Sequence, residues 1–191
     1  ALEGAASRQS FALSPDGSRL AFTAMDESGA LSVFLRDFNS LEPRLIPETK
    51  GAHTLFWPPD GRSLFLTARG KLRRASLEGD GQVVLGEAPS FLFSGAWLGP
   101  DKLILSTNHG SYAGSPSGGT PEPTKASYPW PQMLPDGEHI LYVEWDARVS
   151  RYRARVRRLA DGSTWNDLLE VDSRVLYTAS AVTPGRGYLL H

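Results

Sequence analysis

The sequence FALSPDGSRLAF, residues 11–22, places a Pro-Asp-Gly turn between two short stretches in which apolar residues alternate. Phe11 and Leu13 precede the turn, and Leu20 and Phe22 follow it. A period of two is the pattern of a β-strand with a buried face. Proline presets φ, aspartate can bond its own backbone two residues on, and glycine accepts a positive φ. This stretch therefore predicts a β-hairpin closed by a polar turn.

The same turn recurs along the chain. After Pro15, related prolines follow at positions 59, 100, 135 and 184, spaced by 44, 41, 35 and 49 residues, and the last copy is degraded. The residue two positions before each proline is always apolar: Leu13, Trp57, Leu98, Met133 and Val182. A repeat of about 42 residues is typical of the blades of a β-propeller.

Each predicted hairpin is followed by a second polar turn and two further extended segments. Glycine and proline number 19 and 14 among the 191 residues, which leaves little room for helices. We predict an all-β propeller of four-stranded antiparallel blades, with four units at approximately 8–50, 51–88, 89–126 and 127–172 and a partial unit at 173–191. An incomplete last blade would expose a strand edge through which the chain could self-associate.

The ordered motifs carry a resemblance to a known family. They are FALSPDGSRLAF (11–22), FWPPDGRSLF (56–65), GKLRR (70–74), GAW (95–97), YPWPQMLPDGEHILY (128–142) and GYLL (187–190). Together they resemble the WD40-like repeats of TolB-type bacterial propellers. The set is most similar to the C-terminal propeller domains of bacterial membrane serine/threonine protein kinases, notably acidobacterial ones. The resemblance implies a sensor or interaction domain on the extracytoplasmic, periplasmic side of a membrane-anchored protein, and it implies no chemistry.

Composition narrows the chemistry further. Cysteine is absent, which excludes thiolate metal sites and cysteine nucleophiles. The four histidines lack the spacing of metal ligands, and the repeated turn aspartates are each explained by turn capping. No Gly-x-Ser-x-Gly nucleophile elbow and no kinase signature occurs in the sequence. We therefore expect no catalytic residues, no metal, no cofactor and no enzymatic activity.

Candidate binding residues fall into two groups. In the strand predicted at 151–159, Arg151, Arg153, Arg155 and Arg157 point to one side, where they could grip an acidic partner. A solvated outer strand protected from unwanted pairing is the alternative interpretation. The second group, His53, Tyr128 and Trp130, is expected near the mouth of the propeller channel, where a protein or small-molecule ligand would bind.

Other partner classes are disfavoured. The formal charge is −1, with 20 basic and 21 acidic residues, and the arginine row holds a single aromatic residue, so we expect no nucleic acid partner. No apolar run is long enough to enter a bilayer. The chain begins at Ala1 without a signal-peptide pattern, so we expect a piece of a longer protein or a processed one.

The predicted function is non-catalytic recognition within a larger bacterial signalling protein. Two alternatives remain open at this point. The chain could be the substrate-gating propeller of a peptidase whose catalytic domain is absent, or a structural module completed by a second copy. Fold alone does not separate these functions.

Overall fold

Short antiparallel strands separated by polar turns make up the computed structural model, which describes residues 10–78, 81–90, 92–179 and 187–190. These residues form eighteen strands, and no helix occurs among them. No helix that could cross a membrane is therefore found in the described ranges.

Consecutive strands pair in chain order into separate sheets. The first sheet contains β1 (Phe11–Leu13), β2 (Arg19–Met25), β3 (Leu31–Asp37) and β4 (Arg44–Leu45). The second contains β5 (Ala52–Phe56), β6 (Ser63–Ala68), β7 (Lys71–Ser76) and β8 (Gln82–Glu87). The third contains β9 (Leu92–Trp97), β10 (Leu103–Thr107), β11 (Gly110–Gly114) and β12 (Glu122–Pro123). The fourth contains β13 (Gln132–Met133), β14 (His139–Asp146), β15 (Arg151–Arg158) and β16 (Thr164–Val171), and a fifth sheet pairs β17 (Leu176–Ala179) with β18 (Gly187–Leu190).

In the first, second and fourth units a Pro-Asp-Gly turn closes the first hairpin as predicted, and in the third unit the shorter turn at 99–102 takes its place. In the first unit, Phe11 pairs with Phe22 and Leu13 pairs with Leu20. Gly17 has a φ of 70°, and its N–H donates to the Ser14 carbonyl at 2.9 Å. A side chain at this φ would be strained, so glycine is the residue that suits the turn. The turn around Pro184 lies outside the described residues.

Apolar side chains fill the space between consecutive sheets. Because successive side chains of a strand point to opposite faces, Leu64 and Leu66 of β6 pack toward the first sheet while Phe65 packs toward the third. The same alternation occurs in β10 and β14. In β10, Leu103 and Leu105 pack toward the second sheet and Ile104 packs toward the fourth. In β14, Ile140 and Tyr142 pack toward the third sheet, and Leu141 and Val143 pack toward the fifth. The middle sheets are therefore buried on both faces, and each fully buried side chain of this kind contributes about 1.5–3 kcal/mol.

The side chain of Gln132 links the two-stranded fifth sheet to the fourth. The Gln132 amide donates to the Tyr177 carbonyl at 2.8 Å, and its carbonyl oxygen accepts from the Tyr177 N–H at 2.7 Å. Val175 completes the apolar contact on this side. Four four-stranded antiparallel sheets and this pair confirm the predicted all-β propeller with an incomplete last blade in the described part of the chain.

Candidate ligand-binding site at the starts of the innermost strands

The innermost strands of the five sheets, β1, β5, β9, β13 and β17, begin around one cavity of about 760 Å³. Each strand contributes a side chain to the cavity, either from its first two residues or from two residues before its start. These side chains are Phe11, His53, Phe93, Trp130 and Arg174. Every first strand enters its sheet from the same side, so the repeat itself brings these five side chains together. The volume lies within the range of small-molecule binding sites.

Arg174 is the charged group of this cavity. Its guanidinium carbon lies 4.1 Å from the centre of the Phe11 ring, a cation–π contact that joins the fifth unit to the first. The side chain is half-buried, and burial lowers the pKa of Arg174 below its usual value. Among the described residues no carboxylate forms an ion pair with it. The cavity therefore holds a partly desolvated positive charge.

Trp130 and Phe93 are aromatic residues that line the same cavity. The Trp130 ring lies 5.2 Å from Phe93 and 6.3 Å from Tyr152, measured between ring centres. Trp130 has a φ of 48°, a conformation that is uncommon for a bulky residue and often accompanies functional sites. Tyr152 in turn meets Trp145 at 5.0 Å, and Trp145 is 51% exposed. The rings form a continuous series from the cavity to the outer surface.

A strand irregularity positions the polar side of the cavity. The pairing between β5 and β6 shifts register between Ala52 and Leu55, where His53 and Thr54 lie. Such bulges redirect side chains. His53 is exposed on the cavity lining, whereas the buried Thr54 hydroxyl donates to the Leu92 carbonyl at 2.8 Å and ties the second sheet to the third. Both residues therefore line the cavity, and Thr54 also carries the contact between the two sheets.

Tyr128 does not line this cavity. Its ring packs edge-on against Tyr142 at 5.4 Å, between the third and fourth sheets. Its N–H donates to the Ser111 hydroxyl at 2.8 Å, and its carbonyl accepts from the Ser106 hydroxyl at 2.6 Å. Of the three residues expected at the channel mouth, the structure brings His53 and Trp130 together and places Tyr128 in packing. A ligand role for the three is a prediction that this placement does not test.

The arginine row lies on β15 opposite acidic residues of β14. Arg153 contacts Asp146 at 3.5 Å and Glu170 of β16 at 3.2 Å. Arg155 contacts Glu144 at 3.1 Å and Asp146 at 3.5 Å. Both arginine side chains are only 18% exposed. Much of the positive charge of the row is thus balanced within the sheet.

The two arginines at the ends of the row have different surroundings from the two at its centre. Arg151 is exposed at the start of β15, and the Arg157 guanidinium lies against Gly162 in the following turn. β15 is the third strand of its sheet, with β16 outside it, so the interpretation as an outer strand is wrong. An anion-binding role for Arg151, Arg153, Arg155 and Arg157 remains a prediction.

The repeated turn aspartates act as local caps. Asp16 accepts hydrogen bonds from the Ser14 hydroxyl at 2.5 Å and from the Ser18 N–H and hydroxyl at 3.1 and 2.8 Å. These bonds, led by the one from Ser14, lower the pKa of Asp16 to about 2. Asp60 and Asp136 accept from backbone N–H groups in the equivalent turns. In the ranges that the structure describes, no cluster of three or more histidine, aspartate or glutamate residues could hold a metal ion.

A second cavity, of about 640 Å³, lies at the opposite ends of the strands. The turns of the second and third units line it with Pro58, Pro59, Pro100 and Trp97. It lacks the convergence of all five units that characterises the first cavity.

Comparison with solved structures identifies the fold of this chain. No protein-family model matches the sequence, and no curated protein matches it. Among solved structures, TolB from Acinetobacter baumannii is similar over 94% of this chain and 50% of its own, with a TM-score of 0.66 and 17% identity. The fold is that of a TolB-like β-propeller.

Enzymes share this propeller fold. Hydrazine synthase from Kuenenia stuttgartiensis matches 93% of this chain and 57% of its own, at a TM-score of 0.61 and 12% identity. An oligogalacturonate lyase in complex with manganese matches 85% and 65%, at a TM-score of 0.52 and 13% identity. The chain thus spans between half and two thirds of these structures. Identities this low show the fold, and the site has to indicate the function.

Sequence reasoning missed three of the five cavity residues. His53 and Trp130 were found because they lie near the start of a predicted innermost strand, and the same criterion applied to every repeat would have found Phe11 and Phe93. Arg174 lies ten residues before Pro184, whereas the other four lie four to seven residues before their prolines. Its place in the cavity was therefore not visible from the repeat spacing.

Proposed function

We propose that this chain is a non-catalytic interaction propeller that binds a protein, peptide or small-molecule ligand in the cavity where its innermost strands begin. The observation that carries the proposal is the convergence there of one side chain from each of the five units. Apolar walls with a few polar groups are the usual composition of binding pockets. The side chains Phe11, Phe93, Trp130, His53 and Arg174 have this composition.

The lining favours binding over catalysis. The described residues around the cavity supply one histidine and one arginine but no carboxylate. Acid–base or nucleophilic catalysis generally requires a second group that orients or activates the first. The cavity therefore offers recognition groups without a catalytic pair.

We further propose that the chain is the sensory part of a larger bacterial signalling protein, on the extracytoplasmic side of a membrane. The support is the ordered resemblance to kinase-associated propellers across residues 11–190. A propeller with a ligand cavity formed by all of its units suits a sensor, because ligand binding would change the relative stability of its packed blades.

A thermal-shift screen of a chemically diverse small-molecule and peptide library tests the binding function. Compounds that raise the Tm of the wild type are tested again on Ser90→Trp and Ser117→Trp. Both serines are exposed, but Ser90 lines the first cavity and Ser117 lines the second. We expect the stabilisation to be lost in Ser90→Trp and kept in Ser117→Trp. The reverse result, or a library without any stabilising compound, contradicts the proposal.

A second function, assembly through a further copy, is favoured by the fifth sheet. In the described part of the chain β18 pairs with β17 alone, and Tyr188 and Leu190 are 62% and 55% exposed. Such an edge can pair with another strand. Light scattering distinguishes the functions, because a strict monomer across the accessible concentration range excludes assembly.

A further inference from the structure

The guanidinium of Arg174 has hydrogen-bonding capacity that the described residues do not use. Arginine carries five N–H donors in a planar fork. The Arg174 side chain stacks on the Phe11 ring, and no described residue accepts a hydrogen bond from it. Burial without a counter-ion is unfavourable, which agrees with the lowered pKa of this group. A bound anion would remove this penalty.

The single arginine of the cavity limits the charge of the anion that it can balance. Arg174 is the sole lysine or arginine among the described lining residues. A phosphate carries up to two negative charges, whereas one guanidinium balances one charge. A carboxylate carries a single charge, and its two oxygens match the arginine fork in a bidentate pair. The single cation therefore favours a carboxylate.

The walls of the cavity define the rest of the ligand. Phe11 stacks beside Arg174, Phe93 and Trp130 line the same cavity, and the volume of about 760 Å³ admits a body larger than a free ion. Ring surfaces of this kind bind apolar or aromatic groups through burial and offset stacking. A ligand that joins a carboxylate to an apolar body would use both features.

We infer that the cavity selects monocarboxylates with an apolar or aromatic body, and that Arg174 binds the carboxylate while Trp130 and Phe93 contact the body. This inference rests on the proposed binding function and names its ligand class. It predicts weak binding of even a minimal aromatic acid and discrimination against the neutral amide of the same shape.

Titration calorimetry with 3-phenylpropionate, 3-phenylpropionamide and phenyl phosphate tests the inference on the full chain. We expect the acid to bind about tenfold more tightly than the amide, since a charge-assisted bidentate pair is lost. Arg174→Gln should reduce the affinity for the acid to that for the amide. Arg148→Gln, a change in an exposed turn residue, is the matched control and should leave both affinities unchanged.

The outcomes separate this inference from the proposed function. Equal binding of acid and amide, tighter binding of phenyl phosphate, or an unchanged affinity in Arg174→Gln overturns the carboxylate assignment. Failure of 3-phenylpropionate to bind the wild type also overturns it. The library screen with Ser90→Trp decides the binding function independently, because that library includes neutral and cationic compounds.

Discussion

Gly95→Ala tests the packing between the second and third sheets. Gly95 pairs with Leu105, so it shares the face of the third sheet that packs on the second. A Cβ atom at Gly95 would lie 2.7 Å from Cε1 and 2.9 Å from two further carbons of the Phe56 ring. Phe56 is only 5% exposed and packs against Phe65 at 5.4 Å, so the ring has little space to retreat.

The expected change in the free energy of unfolding is the difference between two opposing contributions. Overpacking of a filled core costs about 1–3 kcal/mol. Replacing glycine by alanine in a compatible backbone conformation stabilises by about 0.4–1 kcal/mol through the unfolded chain. We therefore expect Gly95→Ala to lose about 1–2 kcal/mol of unfolding free energy, which corresponds to a fall in Tm of about 2–8 °C for a chain of this size.

Gly114→Ala is the matched control. Gly114 pairs with Leu103 and lies on the same face of the same sheet, but its Cβ would meet Leu105 Cδ1 at an ordinary 3.5 Å. Neither glycine has a positive φ. Urea unfolding followed by circular dichroism should show Gly114→Ala at least as stable as the wild type. Wild-type stability of Gly95→Ala, or an equal loss in both variants, would refute the packing of these two sheets.

Three further changes test separate parts of the structure. Phe65→Ala should lower the unfolding free energy by about 3–5 kcal/mol in urea titrations because the ring is 1% exposed, whereas Phe38→Ala, at 53% exposure, should change it little. The pKa of Asp16 is about 2 in the folded chain and 3.8 ordinarily, so its contribution to stability is present above about pH 4 and is lost as the pH falls toward 2. Acid titrations of the wild type and Asp16→Asn should therefore converge at low pH, and a constant difference would contradict the turn-cap assignment. Gln132→Ala removes both hydrogen bonds to the Tyr177 backbone. In hydrogen-exchange measurements the Tyr177 amide should therefore exchange faster, while the amides of the first sheet keep their wild-type rates. Unchanged exchange at Tyr177 would show that other contacts hold the last hairpin.

The turns and strands could be predicted from the sequence because the local signals agree. Proline, aspartate and glycine at fixed positions determine the hairpin, and the flanking alternation determines which residues of β1 and β2 share a face. The middle sheets are different, because runs such as Leu64–Leu66 are apolar at every position. Burial of both faces explains these runs, and it arises from stacking of the sheets rather than from any single strand.

The site was less predictable because it depends on contacts between distant units. Arg174 meets Phe11 only after five units have been arranged around the cavity. The charge balance of the arginine row could have been predicted from the sequence, because the hairpin register places Glu144 opposite Arg153 and Asp146 opposite Arg151. Strand pairing therefore needs to be worked out before a row of like charges is interpreted as an anion-binding surface.

Fluorine NMR of the chain labelled with 5-fluorotryptophan tests the central claim most directly. The five tryptophans report on different places: Trp57 and Trp97 between sheets, Trp130 at the cavity, and Trp145 and Trp165 on the exposed surface. Single Trp→Phe variants assign the resonances, and the most strongly stabilising compound from the library screen is then added. We predict that the Trp130 resonance shifts most and that those of Trp57 and Trp165 stay in place. A shift confined to Trp165, or to Trp97 beside the second cavity, would contradict a ligand site at the starts of the innermost strands.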